Sequence, residues 1–416
     1  MAQPSSTFPF WNFSSGSTEG PFWSAGARGG GGRGGRGLPP PPPGGNSAID
    51  PTIAPDSTPD PAAPLLSTFQ VRAAAGEPRA VVRVRNLQST MSAGQDAWGR
   101  SSKSQPVLLS SEISLAGSFE TASENDTVAD EGTVHYGTLS KTLLGGMADF
   151  AHVERGAAPA GGIRAAGAAE QVTPMPSTAN IFELLWVKMT GRVVDGSQVA
   201  LPAYEVPLLN ARTLRSLSLT LHLPKASLLG SGVSLTTTAC FKDAKSLDEE
   251  EESPSSASAS ASASSSSAKN EQGQPKKQNP LRSYARTLRL HELRIPTLIG
   301  VNDNERTAKQ MVVADIEIDR FDIDSVDIHT ELERLVVDTI SESSFETLEA
   351  LGTHVGNKIL RDFRVGDDAT SRGGDVQHNA LTTMAERGWL VRIRMEKPIA
   401  VPFADCPSVE ILMGGQ

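Results

Sequence analysis

The chain has 416 residues, 38% of them hydrophobic, which is material for two or three folded domains. A formal charge of -10 argues against a general nucleic-acid binder, because an acidic chain repels phosphate unless its basic residues are segregated, and Cys240 and Cys406 are too isolated to form a disulfide framework. No apolar run approaches the roughly 20 residues needed to span a bilayer, and the start lacks a secretory layout, so a soluble protein is expected, with the cytosol ranked ahead of the mitochondrion.

Residues 1–66 are rich in Pro, Gly and Ser, with an Arg-Gly tract at 28–37 and a polyproline run at 39–43. Such composition cannot bury enough apolar surface to offset chain entropy, so a disordered tail is expected, with weak tail-mediated contacts as its functional reading. Residues 80–84 and 106–115 carry branched side chains in partial period-two alternation and are expected as strands. Helical patterns follow at 137–150 and 179–189, separated by a Gly/Ala-rich loop insertion at 156–176. Strands are then expected at 216–223 and 232–240. An acidic and Ser/Ala-rich stretch, 243–282, reads as a flexible linker. Beyond it the order recurs, with strands at 287–299 and 311–318, helices at 326–340 and 343–360, and strands at 390–395 and 408–413.

Both units read ββααββ, the second spanning 283–416 and the first 67–242, and an internal repeat of this size governs the fold. Local echoes support it: Gln105-Pro-Val-Leu-Leu against Gln310-Met-Val-Val-Ala, and Leu223-Pro-Lys225 against Met395-Glu-Lys397. The class is α+β, each unit a four-stranded antiparallel sheet with two helices on one face. The bare face and open edges of such a unit favour self-association into a ring or barrel.

Residues 300–310, Gly-Val-Asn-Asp-Asn-Glu305-Arg-Thr-Ala-Lys-Gln310, together with Phe345-Glu-Thr-Leu348-Glu349-Ala-Leu and Val391-Arg-Ile-Arg-Met-Glu-Lys397-Pro, resemble the motifs of the dihydroneopterin aldolase family. In the first unit Thr133-Val134-His-Tyr136-Gly resembles the segment carrying that family's tyrosine, with Asp126 upstream. The resemblance implies a tandem tunnelling fold (T-fold), as in the aldolase portion of fungal folate-synthesis proteins. It also implies catalytic roles for Lys397, Glu305 and Tyr136, and substrate binding by Glu349, Leu348, Val134, Thr133 and Asp126. The units depart from the pattern in complementary ways. Ile328 stands where the second unit should have its tyrosine, and Asp96-Ala-Trp98-Gly-Arg100 where the first should have its glutamate. A site shared between the two unit types, with Tyr136 from one beside Glu305, Glu349 and Lys397 of the other, is therefore expected.

The implied substrate is a reduced pterin, 7,8-dihydroneopterin, and the implied reaction a retro-aldol cleavage to 6-hydroxymethyl-7,8-dihydropterin and glycolaldehyde in folate biosynthesis. The ring is the electron sink, so neither a metal nor a Schiff base nor a cofactor is expected, in keeping with scattered histidines and the lack of a cysteine cluster. A lysine whose charge is disfavoured by its surroundings suits general acid/base work, and a two-oxygen carboxylate such as Glu349 suits paired pterin N–H donors. Three other readings stay open at this point: a non-catalytic pterin-fold scaffold, an RNA-associated protein driven by the Arg-Gly tract, and epimerisation of the same substrate.

Overall fold

A computed structural model describes residues 62–415, except 93, 102, 129–131, 155–176, 200, 202–205, 244–277, 324–326 and 367–380. Residues 1–57 and 58–416 separate into two units, and the described residues all belong to the latter. Most of the expected tail, most of the linker and the loop insertion lie outside the described residues.

Alternating Leu and Ser or Thr in 214–223 dictates a strand with one apolar face, and the same period governs its neighbours. The strands are β1 (Ala80–Met91), β2 (Gln105–Leu115), β3 (Leu214–Leu223), β4 (Gly232–Phe241), β5 (Leu281–Thr297), β6 (Gln310–Asp319), β9 (Leu390–Glu396) and β10 (Ser408–Gly414). They form one eight-stranded sheet in the order β1-β2-β3-β4-β5-β6-β9-β10, antiparallel at every junction. A short hairpin, β7 (Arg364–Gly366) with β8 (Leu381–Thr383), stands apart. The two halves thus share a sheet, joined where Val233 pairs Leu290, Ser234 pairs Arg289 and Thr236 pairs Thr287.

One face of that sheet is apolar. Leu217, Leu219, Leu221, Leu290, Ile316 and Ile393 are all fully buried there. Against it pack α3 (Tyr136–Glu154), α4 (Thr178–Thr190), α5 (His329–Ser341) and α6 (Leu348–Asp362). Gly352 and Gly356 let α6 approach β10, because a Cβ at either would meet Ile411 or Met413. The other face presents Ser218, Thr220, Ser234, Thr236, Arg289 and Arg392, hydroxyls and charges that water can satisfy.

The structure adds features to the sequence reading. β1 runs on to Met91 through a bulge between Val84 and Leu87, with Asn86 at φ 52°. β5 has the matching bulge between Leu290 and Leu293, with Glu292 at φ 49°. The extra residue breaks the period-two alternation and hid the far half of β1. A short α2 (Glu120–Glu124) precedes α3, and an eight-residue α1 (Thr68–Ala75) lies on the polar face over β4 and β5. Residues 62–66, expected in the tail, are ordered against β5: Leu66 donates its N–H to the Tyr284 carbonyl at 2.8 Å.

Candidate functional site

β5 and β6 are joined by residues 298–309, and β9 ends one residue before Lys397 at the same end of the sheet. Lys397 is 7% exposed, and Glu305 lies in a single 3-10 turn, Asp303–Arg306. The Lys397 ammonium donates to Glu305 Oε1 at 2.5 Å. Such burial of an ammonium is costly unless a carboxylate meets it. The other carboxylate oxygen accepts from the Asn302 backbone N–H at 3.2 Å and the Asn302 side-chain amide at 3.1 Å. The Lys397 hydrogen bond, helped by the Asn302 N–H, pushes the Glu305 carboxyl down to about 2. Local sequence fixes the turn: Gly300 sits at φ 147°, where a Cβ would collide with Glu305, and Gln310 donates to the carbonyls of Ile299 and Glu305.

Leu348 and Glu349 open α6, whose N-cap Thr347 accepts from the Ala350 N–H. Leu348 is buried, whereas Glu349 is exposed and its carboxylate has no hydrogen bond or ion pair among the described residues. A carboxylate in a first helical turn is favoured by the helix dipole. Arg306 ties the Glu305 turn to this helix start through the carbonyls of Ser344 and Phe345.

The other expected site residues lie elsewhere. Tyr136 opens α3, which packs over β1 at one sheet edge, while Lys397 follows β9 beside the opposite edge. The Tyr136 ring is 68% exposed and stacks on His135. Asp126 is exposed at φ 47°, and Thr133 and Val134 are half-buried. Among the described residues no hydrogen bond or ion pair joins these four to Glu305, Glu349 or Lys397, so one chain does not bring the two groups together.

Where the halves join, the structure reveals a contact unread in the sequence. Asp327 accepts the Thr178 N–H on one oxygen and the Gln95 N–H on the other, each at 3.1 Å. Glu333 accepts the N–H groups of Leu228 and Leu229, both at 3.0 Å. Ile328 is 4% exposed and His329 2%, and they close over Ala179, Leu221 and Val233 with a residual cavity of about 20 Å³. Burial pushes the His329 imidazole below its usual value against the pull of Asp327 and Glu333. Gln95 belongs to the first half's β1–β2 loop, and Thr178 opens α4 as Leu348 opens α6. In that half Lys225 is exposed and Asp96 is engaged by Arg100 at 2.7 Å. These partners are far apart in sequence, so no local signal marks them.

Residues 288–412 match the family model FolB, dihydroneopterin aldolase. The family resemblance stands for this stretch, which holds Glu305, Leu348, Glu349 and Lys397, while Asp126, Thr133, Val134 and Tyr136 fall outside the FolB match. Among solved structures the chain is similar to a FolB protein of Vibrio cholerae, at 24% identity over 31% of this chain and 96% of that one, with a TM-score of 0.23. It is similar at 23% identity to E. coli dihydroneopterin aldolase in complex with neopterin, over 31% and 98%, with a TM-score of 0.23. Uricase from Arthrobacter globiformis matches over 81% of this chain and 93% of its own, at 10% identity and a TM-score of 0.36. No curated protein matches the chain. Among the described residues no helix is long and apolar enough to cross a membrane, and no group of three or more His, Cys, Asp or Glu side chains could hold a metal ion.

Proposed function

We propose that the chain is a dihydroneopterin aldolase of two T-fold domains, and that its working site is built from two copies. Glu305, Leu348, Glu349 and Lys397 come from one copy, and Asp126, Thr133, Val134 and Tyr136 from the next. One comparison carries this reading. Ile328, in the tyrosine's place in the second half, is buried against the first half at the internal junction, whereas Tyr136 is exposed at the free edge. Repeating the internal junction between chains, β10 against β1 of a second copy, would carry Tyr136 toward Lys397 as Ile328 is carried toward Ala179.

The edges suit that repetition. The matching bulges align Arg289 with Arg83 and Thr287 with Val81, and the echo Leu223-Pro-Lys225 against Met395-Glu-Lys397 aligns Ser234 with Glu410 and Thr236 with Leu412. Repeating the Ser234–Arg289 and Thr236–Thr287 pairings then sets Glu410 opposite Arg83 of the second copy and Leu412 opposite Val81. Both are favourable cross-strand pairs, each worth about 0.2–1 kcal/mol.

In the mechanism Glu349 holds the pterin's paired N–H donors, and Leu348 and Val134 flank the ring. Lys397, oriented by Glu305 and working partly through water, removes the proton from the hydroxyl on the second side-chain carbon. The bond between the first and second carbons breaks, its electron pair enters the ring imine, and glycolaldehyde leaves. Tyr136 delivers a proton to the first carbon as the electrons return, giving the hydroxymethyl product.

Purified chain incubated with 7,8-dihydroneopterin should release glycolaldehyde, and Lys397→Ala should cut the rate by about 10²–10⁴-fold. Co-expressing Tyr136→Phe chains with Lys397→Ala chains should restore about a quarter of wild-type activity, the statistical share of intact sites in a two-chain ring. No recovery would refute a site shared between chains, and no glycolaldehyde from the wild type would refute the aldolase assignment.

A further inference from the structure

α1 is the helix that the proposed function leaves without a role. It does not join the four helices of the apolar face. It lies across β4 and β5 on the polar face, at the end of the sheet remote from Lys397. It is firmly held there. Val71 and Ala75 pack on Cys240 and Ala285, and Asp319 accepts the Thr68 N–H at 2.8 Å and its hydroxyl at 3.0 Å. Arg215 donates to the Ala75 carbonyl at 2.5 Å, and Ser67 and Gln70 close a capping box. With its buried side so committed, the helix turns Phe69 outward, 76% exposed, with Arg72 and Ala73 beside it over the cavity of the polar face. The anchored helix thus displays an apolar side chain above hydroxyls and charges, positioned to meet a partner brought into the same space.

We infer that this partner is α1 of the second copy, and that the two helices meet across the tunnel axis and close one mouth of the ring. The inference rests on the two-copy ring of the proposed function. In such a ring the four large helices of each chain must lie outside, since an interior formed by sixteen strands cannot hold eight helices each about 10 Å across. The polar face, and α1 with it, then lies inside. Sixteen strands spaced about 4.8 Å apart and tilted about 40° give a tunnel roughly 32 Å across between backbones. A helix packed about 10 Å from the sheet has its axis about 6 Å from the tunnel axis, so two copies related by a two-fold lie about 12 Å apart. That is contact distance for helices bearing side chains as large as phenylalanine. Three chains would widen the tunnel to about 48 Å and hold the helices about 24 Å apart, with no contact. A single closed chain, about 16 Å across, would leave α1 no room.

The test is proximity cross-linking of the full chain. Phe69→Cys is made with Cys406→Ser, Cys240 being buried, and treated with a short bis-maleimide. Thr220→Cys in the same background, on the polar face but away from α1, is the control. The expected result is a covalent two-chain species as the predominant product for Phe69→Cys and little for Thr220→Cys, with native mass by light scattering and aldolase activity unchanged. A two-chain mass with retained activity but no cross-link at residue 69 would overturn the helix contact alone. A single-chain mass with no cross-link would overturn the ring and the contact together, and a cross-link at Thr220 equal to that at Phe69 would overturn the specific approach of the two α1 helices.

Discussion

At Glu305 three donors converge on one carboxylate, and its charge is what they share. Lys397 and Asn302 hold the carboxyl down to about 2, against an ordinary 4.5. A depressed folded-state value stabilises the fold above the unfolded value, and that contribution is lost as pH falls from about 4.5 through about 2. Glu305→Gln keeps the shape and removes the charge. The melting temperature of the wild type should therefore exceed that of the variant above pH 4.5, and the gap should narrow steadily as pH drops toward 2. A gap constant across that interval, measured by scanning calorimetry, would show that the ion pair adds nothing to the fold. Lys225, the repeat's counterpart of Lys397, is exposed, so a lysine at the equivalent strand end is buried against a carboxylate in only one half.

Between elements, the junction of the halves depends on Asp327, which bridges the start of α4 to the β1–β2 loop. Asp327→Ala would leave the Thr178 and Gln95 N–H groups without their acceptor, at a cost of about 1–3 kcal/mol. Chemical denaturation should register that loss, while activity per folded chain stays near wild type, because the filled first-half pocket is structural in the proposed scheme. A large fall in activity with unchanged stability would instead give that pocket a role in turnover. Such partners explain what was legible beforehand. β3 could be read because Leu217, Leu219 and Leu221 alternate with Ser218 and Thr220, a local pattern with a local cause. The far half of β1 could not, since Asn86 interrupts the alternation. α1 leaves no periodic signal in the sequence, because only Val71 and Ala75 of its eight residues are buried. Glu305 and Lys397, 92 residues apart, were paired by family resemblance, not by any rule of spacing. Asp327 had neither a resemblance nor a local pattern to mark it.

For the whole molecule, in the proposed ring the open edges decide whether the two parts of the site meet. Leu412 on β10 is 52% exposed in the single chain, and it pairs with Arg392 on the polar face of an edge strand. A lysine there costs the isolated chain little, because solvent already reaches the position. In the ring the same residue would face Val81 of the next copy, close to Arg83, so Leu412→Lys would replace an apolar cross-strand contact by a charge beside a like charge. The Glu305–Lys397 pair and the α6 start would remain intact in each chain. Leu412→Lys should thus fold with a wild-type circular dichroism spectrum, sediment as a single chain at low concentration and lose aldolase activity in step with its mass. Mass and activity should return together as concentration rises, since in the proposed ring only association delivers Tyr136 to the lysine. Full activity from a species that sediments as one chain would break the link between assembly and catalysis.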